Sequence, residues 1–185
     1  SGVNWSGSHM KQLVVGGLHT ARLETLVKSI KHMGFNSVRM NFALSMLKVG
    51  TSQFLPAPHP ALLKANPQLT GMSALEVFDR IVQAITDEGL LVVLNNHMSE
   101  AGWCCSGDDG NELWFTEEYS IEDWLDALTF MAERYSSNKR VIGIDIRHEP
   151  RVQDRTATVP WWGLETRVTK PLGYQFVDWR QAAAR

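Results

Sequence analysis

An uninterrupted apolar run, Leu90–Leu94 (Leu-Leu-Val-Val-Leu), limits most strongly what this chain can fold into. A strand with one face in water alternates apolar and polar residues, whereas a strand covered on both faces is apolar throughout. The run therefore predicts a strand, over Leu90–Asn95, in a parallel sheet with helices on its faces. Similar apolar or β-branched runs predict three more strands, over Gly2–Trp5, Asn36–Phe42 and Val141–Ile146.

Amphipathic helices are predicted between these strands. The apolar stripe that starts at Leu23 has helical spacing and stops at Gly34, a residue that commonly ends helices. A second helix begins at Ser73, where a glutamate three residues later completes a capping box, and a third begins at Ser120. A fourth begins near Asp178. The order is therefore strand then helix, four times over, which predicts right-handed crossovers and the α/β class.

Long loops are expected after the strands, at about residues 46–72, 96–119 and 151–177, as at the active-site face of α/β proteins. Two folds fit this order: a doubly wound sheet and a (β/α)8 TIM barrel. A dinucleotide-binding doubly wound sheet requires a glycine-rich turn after its first strand. The chain has Trp-Ser-Gly-Ser-His-Met at residues 5–10, so the barrel is favoured.

Composition excludes several other classes. The 185 residues are 44% hydrophobic and 21% charged, which is typical of a globular chain with a sizeable core. The net charge of −2 gives no general attraction to nucleic acid or to an anionic membrane. No apolar stretch is long enough to span a membrane, and no signal peptide is recognisable at Ser1.

The two cysteines, Cys104 and Cys105, are adjacent in the sequence. They form neither a disulfide framework nor a zinc-binding CxxC motif. Because a bond between neighbouring cysteines closes a small strained ring, we expect two ordinary thiols in a loop.

Polar side chains follow all four predicted strands at their carboxyl ends. Asn4 ends the first, Arg39 lies near the end of the second, His97 follows the third, and His148 and Glu149 follow the fourth. In a barrel these ends converge on one site. A carboxylate beside a histidine and an arginine can have its pKa adjusted for proton transfer, so Glu149 is the foremost candidate.

The motifs at these strand ends resemble glycoside hydrolase family 5, the cellulase-type β-glycanases. The resemblance rests on several short segments in a specific order and spacing: Gly2–Trp5, Gly34–Arg39, Leu94–His97, Trp103–Asn111, Ile144–Pro150 and Asp178–Ala183. It implies a (β/α)8 barrel and retaining, endoglucanase-like hydrolysis of β-linked polysaccharides. It also implies a secreted enzyme, β-glucan or a related oligosaccharide as partner, and no metal or organic cofactor.

The resemblance assigns roles to four of the strand-end residues. Glu149 matches the general acid/base, Arg39 matches the arginine that supports the catalytic carboxylates, and His97 matches a histidine that lines the sugar site. His148 departs from the family, in which an asparagine at this position donates its amide to the sugar 2-hydroxyl. A histidine can donate through a ring nitrogen, although its shape and titration differ.

A second departure concerns the nucleophile. A retaining glycosidase requires a second carboxylate, which in this family lies on the seventh strand. Residues 1–185 are therefore expected to form a partial family 5-like catalytic domain, strands one to four of the barrel, inactive alone. Its missing surface is expected to be covered by a second half-barrel or by self-association into a dimer.

Loop residues supply further candidates. Trp103, Trp161 and Trp162 are expected to bind substrate, because an aromatic face can stack on the apolar face of a sugar. Trp114 and Tyr174 also lie in these loops, and each aromatic side chain could instead cover the core. The acidic segment 108–112 is expected to be a solvated loop, since it lacks the spacing of a calcium-binding loop.

Two other functions remain open. One is a non-catalytic carbohydrate-binding module that keeps the cleft without the nucleophile. The other is a metal-dependent barrel hydrolase that uses His97, His148 and Glu149, although the His-x-His common in such barrels after the first strand is missing.

Overall fold

The computed structural model describes residues 1–47, 56–161 and 175–184. Its main sheet has four parallel strands in the order β1-β2-β3-β4, which are Gly2–Trp5, Ser37–Ala43, Leu91–Met98 and Val141–Asp145. Three helices cross between them: α1 (Leu23–His32), α2 (Ala74–Asp87) and α3 (Ile121–Tyr135). A doubly wound sheet reverses its strand order part-way, whereas a barrel adds strands in sequence order. The α/β class is confirmed, and the strand order is that of a barrel.

The helices begin where the sequence predicts. Ser73 caps α2, and its side chain and that of Glu76 exchange hydrogen bonds with each other's backbone N–H. Ser120 caps α3 through the same reciprocal arrangement with Asp123. These bonds satisfy N–H groups that have no partner within the helix. Both caps therefore fix where the long loops after β2 and β3 end.

The two faces of the sheet differ in character. Val38, Met40 and Phe42 of β2 are fully buried, and they join a core with the apolar faces of the helices. Because side chains alternate along a strand, Arg39 lies on the opposite face, which is the inside of a barrel.

Ile142 on β4 is 56% exposed, and β4 pairs only with β3 among the described residues. The edge at β4 therefore presents apolar surface and unpaired backbone groups.

A second sheet was not predicted. Strands β5 (Thr158–Trp161) and β6 (Gln175–Asp178) pair in parallel, and α4 (Trp179–Ala183) follows at the predicted place. The segment before β5 lacks a sustained apolar or alternating pattern, so the sequence gives little signal for these short strands. No helix among the described residues is long and apolar enough to cross a membrane.

Candidate active site

Arg39 lies at the centre of a polar cluster at the carboxyl ends of three strands. Its Nε is 3.1 Å from Oδ2 of Asp145, and its Nη2 also bonds to that oxygen. Its Nη1 donates to Oδ1 of Asn4 at 3.3 Å, and its Nη2 lies 3.2 Å from Nδ1 of His148. The arginine of β2 thus joins the ends of β1 and β4, as the convergence of strand ends predicts.

The contact with Arg39 determines which nitrogen of His148 carries the proton. A guanidinium can only donate, so Nδ1 of His148 accepts and Nε2 bears the hydrogen of the neutral ring. Burial lowers the pKa of His148 below its usual value of 6.5, and the Arg39 charge acts in the same direction against the opposing effect of Glu149. The Nε2 atom lies 3.7 Å from Oε1 of Glu149. His148 is therefore a neutral N–H donor aimed toward the candidate acid.

Glu149 has an unusual backbone conformation, with φ of +42°. Few residues other than glycine adopt this left-handed region, and such strain is commonly found at functional sites. Its side chain is 63% exposed, so a substrate can contact the carboxyl group. The Oε2 atom lies 3.5 Å from Sγ of Cys105.

Three imidazole rings, those of His148, His97 and His9, are in contact in this cluster. The ring of His97 is stacked on that of His148 with centroids 3.9 Å apart, and the ring of His9 is tilted by 51° to that of His97 with centroids 4.0 Å apart. Burial, reinforced by nearby positive charges, lowers the pKa of His97 to about 2 and that of His9 to about 4. His97 donates from Nδ1 to Oδ1 of Asn95 at 2.7 Å. His97 and His9 are thus neutral near pH 7, and the ring of His97 packs directly against that of His148.

The expectation of two separate thiols at Cys104 and Cys105 is wrong, because the two sulfurs are bonded to each other. The sulfurs, His148 and Glu149 offer ligand atoms that all lie within 4.8 Å of one another. A disulfide sulfur is not a thiolate, however, so this group does not fit a metal while the bond is intact. Trp103, next to the pair, is 73% exposed.

The acidic segment is not a solvated loop. Asp109 binds Arg151 through both carboxylate oxygens at 2.7 Å, and Arg151 also donates to the Ser106 carbonyl at 2.9 and 3.1 Å. Glu112 is fully buried and accepts from the Gly110 N–H at 3.1 Å. The arginine that partners this loop lies about 40 positions away in the sequence, so composition alone could not reveal the pairing. The loop is a folded element tied to the chain just after Glu149.

The buried guanidinium of Arg147 also binds the loop after β3. It donates to the Asn111 carbonyl at 2.6 Å and to Oγ of Ser99 at 3.2 Å. Burial lowers the pKa of Arg147 to about 9. Because Arg147 is two residues before Glu149, both sides of the candidate acid are fastened to the loop after β3.

The tryptophans lie in different places. Trp103, which precedes the cysteine pair, is exposed, whereas Trp114 is buried in the core, 1% exposed, with its ring against Trp179. Trp161 is half-buried on β5, opposite Asp178, and its contact with substrate stays a prediction. Trp162 and Tyr174 lie outside the described residues.

Three features of this site have no role predicted from the sequence. Asp145 is the carboxylate that holds Arg39, and a carboxylate one residue before the end of a predicted strand was the available signal. His9 lies in the loop after β1, where no motif marks it. The contact of the cysteine pair with Glu149 joins residues 44 positions apart, so no local pattern could indicate it.

Comparison with known proteins adds an independent finding. The sequence profile of the cellulase family (glycosyl hydrolase family 5) matches residues 1–182. The major extracellular endoglucanase of Xanthomonas campestris is 29% identical over 184 residues, all of this chain and 33% of that protein. A glycosyl hydrolase 5 family protein of Chamaecyparis obtusa is 28% identical over 180 residues, 89% of this chain and 32% of that protein.

Solved structures agree with these relatives. The catalytic domain of the Xanthomonas endoglucanase superposes with a TM-score of 0.74 at 26% identity, covering 98% of this chain and 45% of that domain. An endocellulase of Pyrococcus horikoshii, solved in complex with cellotetraose, gives 0.74 at 29% identity over 89% of this chain and 42% of its own. The chain thus spans less than half the length of these proteins, and its four strand–helix units have the (β/α)8 barrel fold. With its strand-end cluster and a profile match over nearly its whole length, the chain belongs to the cellulase family, glycosyl hydrolase family 5.

Proposed function

We propose that this chain supplies the acid/base half of a retaining β-glucan hydrolase of the endoglucanase type. One observation carries the proposal: Arg39 orients His148 directly beside the exposed carboxyl group of Glu149, at the carboxyl ends of β2 and β4. Residues 1–185 would then be the first four strand–helix units of the catalytic domain. The identity of the relatives as endoglucanases supports the reaction class.

In this proposal Glu149 protonates the glycosidic oxygen as the bond to the leaving sugar breaks. After the first sugar has left, the same carboxylate removes a proton from the water that releases the second product. The exposure of Glu149 allows a bound glycan to reach it. A retaining mechanism also needs a nucleophilic carboxylate about 5–5.5 Å away. We assign that group to the half of the barrel that this chain does not span.

His148 would take the part of the family's asparagine. Its Nε2–H is the free donor once Nδ1 has accepted from Arg39. A donor at this position can bind the sugar 2-hydroxyl, and that hydrogen bond strengthens in the transition state. His97 would line the same sugar site from beneath, since its ring is stacked on His148. Trp161 and Trp162 stay proposed substrate contacts from the sequence.

Two further properties are proposed from the relatives. Secretion is supported by the Xanthomonas relative, which is named as a major extracellular endoglucanase. Binding of a β-linked oligosaccharide is supported by the Pyrococcus endocellulase, which was solved with cellotetraose.

The test uses a fused barrel, in which residues 1–185 are followed by the part of the Xanthomonas catalytic domain that this chain does not cover. We expect this protein to release reducing sugar from a soluble β-glucan, and we expect Glu149→Gln to reduce the rate at least about 100-fold. The matched control is Glu118→Gln, a change at an exposed glutamate. Cellotetraose binding without hydrolysis would favour a carbohydrate-binding module instead.

A further inference from the structure

The bonded cysteine pair lies beside the candidate acid. Four residues offer ligand atoms that all lie within 4.8 Å of one another: Cys104, Cys105, His148 and Glu149. The Sγ atom of Cys105 lies 3.5 Å from Oε2 of Glu149, and a disulfide sulfur has no proton to donate to that oxygen. Reduction changes what the pair can bind, because each sulfur becomes a thiol that can lose its proton and bind a soft cation.

The spacing of these atoms fits one soft divalent cation. In a tetrahedral zinc site, with bonds of about 2.3 Å to sulfur and about 2.1 Å to oxygen, a thiolate and a carboxylate oxygen lie about 3.6 Å apart. The 3.5 Å between Cys105 and Glu149 matches that separation. Two thiolates on one such cation lie about 3.8 Å apart. The sulfurs therefore separate after reduction, yet that distance is within the 4.8 Å that the group already spans.

His148 is placed as a supporting donor and not as a ligand. Its Nδ1 accepts from Arg39, so Nε2 carries the proton and has no lone pair for a cation. That Nε2 atom faces Oε1 of Glu149 at 3.7 Å, whereas Oε2 faces the cysteine. One oxygen of Glu149 can thus bind a cation while the other accepts from His148, which is how outer residues commonly orient metal ligands.

Contacts that do not involve sulfur hold the chain on both sides of the cysteine pair. The Gly102 N–H donates to the His9 carbonyl at 3.1 Å, and Arg151 donates to the Ser106 carbonyl at 2.9 and 3.1 Å. Arg151 is also two residues beyond Glu149 in the sequence. Because none of these hydrogen bonds depends on the disulfide, the reduced cysteines keep their place beside Glu149.

We propose that reduction turns the cysteine pair into a site for one thiophilic divalent cation such as Zn²⁺, bound by both thiolates and Oε2 of Glu149. A dithiol reductant forms its own disulfide while the Cys104–Cys105 bond breaks, and two electrons and two protons pass to the protein sulfurs. Each thiol releases its proton when the cation binds, and water takes the fourth position. The cation occupies the carboxyl group of the acid and so inhibits hydrolysis; inhibition rests on the proposed function, whereas binding does not.

Cadmium titration of the fused barrel measures the site without any activity. The protein is reduced with a dithiol, desalted under nitrogen and titrated with Cd²⁺, whose bonds to thiolates absorb in the ultraviolet. We expect one cation per chain, with an affinity at least about 100-fold above that of a Cys104→Ser/Cys105→Ser variant. The unreduced parent protein should show no such absorption. Equal affinity of the parent and the serine variant, or equal absorption before and after reduction, would overturn the proposal.

Two substitutions test the ligand assignment in the reduced protein. Glu149→Gln replaces a carboxylate ligand by an amide and should lower the Cd²⁺ affinity at least about tenfold, whereas Glu118→Gln, at an exposed glutamate, should leave it unchanged. His148→Asn keeps a donor beside Glu149 and should stay within about threefold of the parent. An unchanged affinity in Glu149→Gln, with circular dichroism showing that the variant is folded, would remove the carboxylate from the site. A loss in His148→Asn equal to that in Glu149→Gln would contradict the three-ligand assignment.

Inhibition separates failure of the cation site from failure of the proposed function. Saturating Zn²⁺ should lower hydrolysis of a soluble β-glucan at least about tenfold in the reduced parent fused barrel and leave the unreduced parent unaffected. The serine variant, compared with its own rate in the absence of Zn²⁺, should not respond. Binding of the cation without inhibition would contradict the role of Glu149 as the acid. Absence of binding to the reduced protein would overturn the cation site, whatever the activity.

Discussion

The Arg39 guanidinium lies 3.2 Å from Nδ1 of His148, and this contact determines which ring nitrogen of the imidazole can donate. The family places an asparagine at this position, whose amide N–H donates to substrate. A histidine can supply an equivalent donor only while Nε2 carries the proton, and an arginine at Nδ1 enforces that tautomer. The substitution is therefore compatible with the proposed chemistry because Arg39 of β2 orients the ring.

The tautomer argument predicts that His148→Asn keeps the activity of the fused barrel. The asparagine amide restores a donor of the family type, so we expect kcat/KM within about threefold of the parent or above it. His148→Phe has a similar shape without a donor and should lose at least about tenfold. Steady-state kinetics on a soluble β-glucan provides the comparison, and equal activity of both variants would remove His148 from the substrate site.

A second prediction concerns Asp145. Its carboxylate fixes the guanidinium of Arg39, so Asp145→Asn should let Arg39 move away from His148. We expect kcat/KM to fall about 10- to 100-fold with a much smaller change in the unfolding midpoint. Asp126→Asn, at an exposed position on α3, is the control. A loss of stability equal to that of a core mutation would show that Asp145 is structural only.

The buried imidazoles predict a pH-dependent stability. The pKa of His9 is about 4 in the folded protein and about 6.5 when unfolded, so the unfolded state binds more protons between these values. The free energy of unfolding should fall as pH drops from about 7 to 4, with about 3 kcal/mol attributable to His9. His97, with a pKa of about 2, continues the loss below pH 4.

Urea unfolding of the fused barrel at several pH values checks this dependence. His9→Gln removes one titrating group and should flatten the fall in stability between pH 7 and 4. His19→Gln, at an exposed histidine, should leave the slope unchanged. Parallel curves for the parent and His9→Gln proteins would mean that His9 is not held neutral by the fold.

More of the fold than of the candidate site could be predicted from the sequence. Local signals such as the Leu90–Leu94 run and the caps at Ser73 and Ser120 are complete within a few residues. The predicted ends of the helices and main strands therefore lie within about three positions of the observed ends. The strand-end rule also brought Arg39 and His148 together correctly.

The parts of the site that were missed depend on contacts distant in sequence. The bidentate pair of Asp109 and Arg151 holds an acidic segment in a folded loop, and nothing in the composition of that segment indicates the partner. The bond between Cys104 and Cys105 was judged too strained from their adjacency alone. Trp114 was left open between the sugar site and the core, and the contact that places its ring in the core is with Trp179 of α4, far along the chain.

The 185-residue chain on its own should not hydrolyse β-glucan, since it offers Glu149 without the nucleophile of the other half-barrel. Among the described residues β1 and β4 are the edges of the main sheet, and Ile142 is exposed at the β4 edge. We expect self-association or aggregation in size-exclusion chromatography. A monomeric, active chain whose activity disappears with Glu149→Ala would show that the nucleophile lies within these residues.

The central claim is that Glu149 donates the proton to the departing sugar, and leaving-group dependence tests it most directly. Hydrolysis rates of the parent fused barrel and its Glu149→Gln variant are measured on β-cellobiosides whose leaving groups span a range of pKa. A leaving group of low pKa departs without a proton, whereas a sugar alkoxide requires one. We predict that Glu149→Gln slows the first step at least about 100-fold more for sugar leaving groups than for acidic phenols. An equal loss of rate across the whole series would contradict the assignment of Glu149 as the acid.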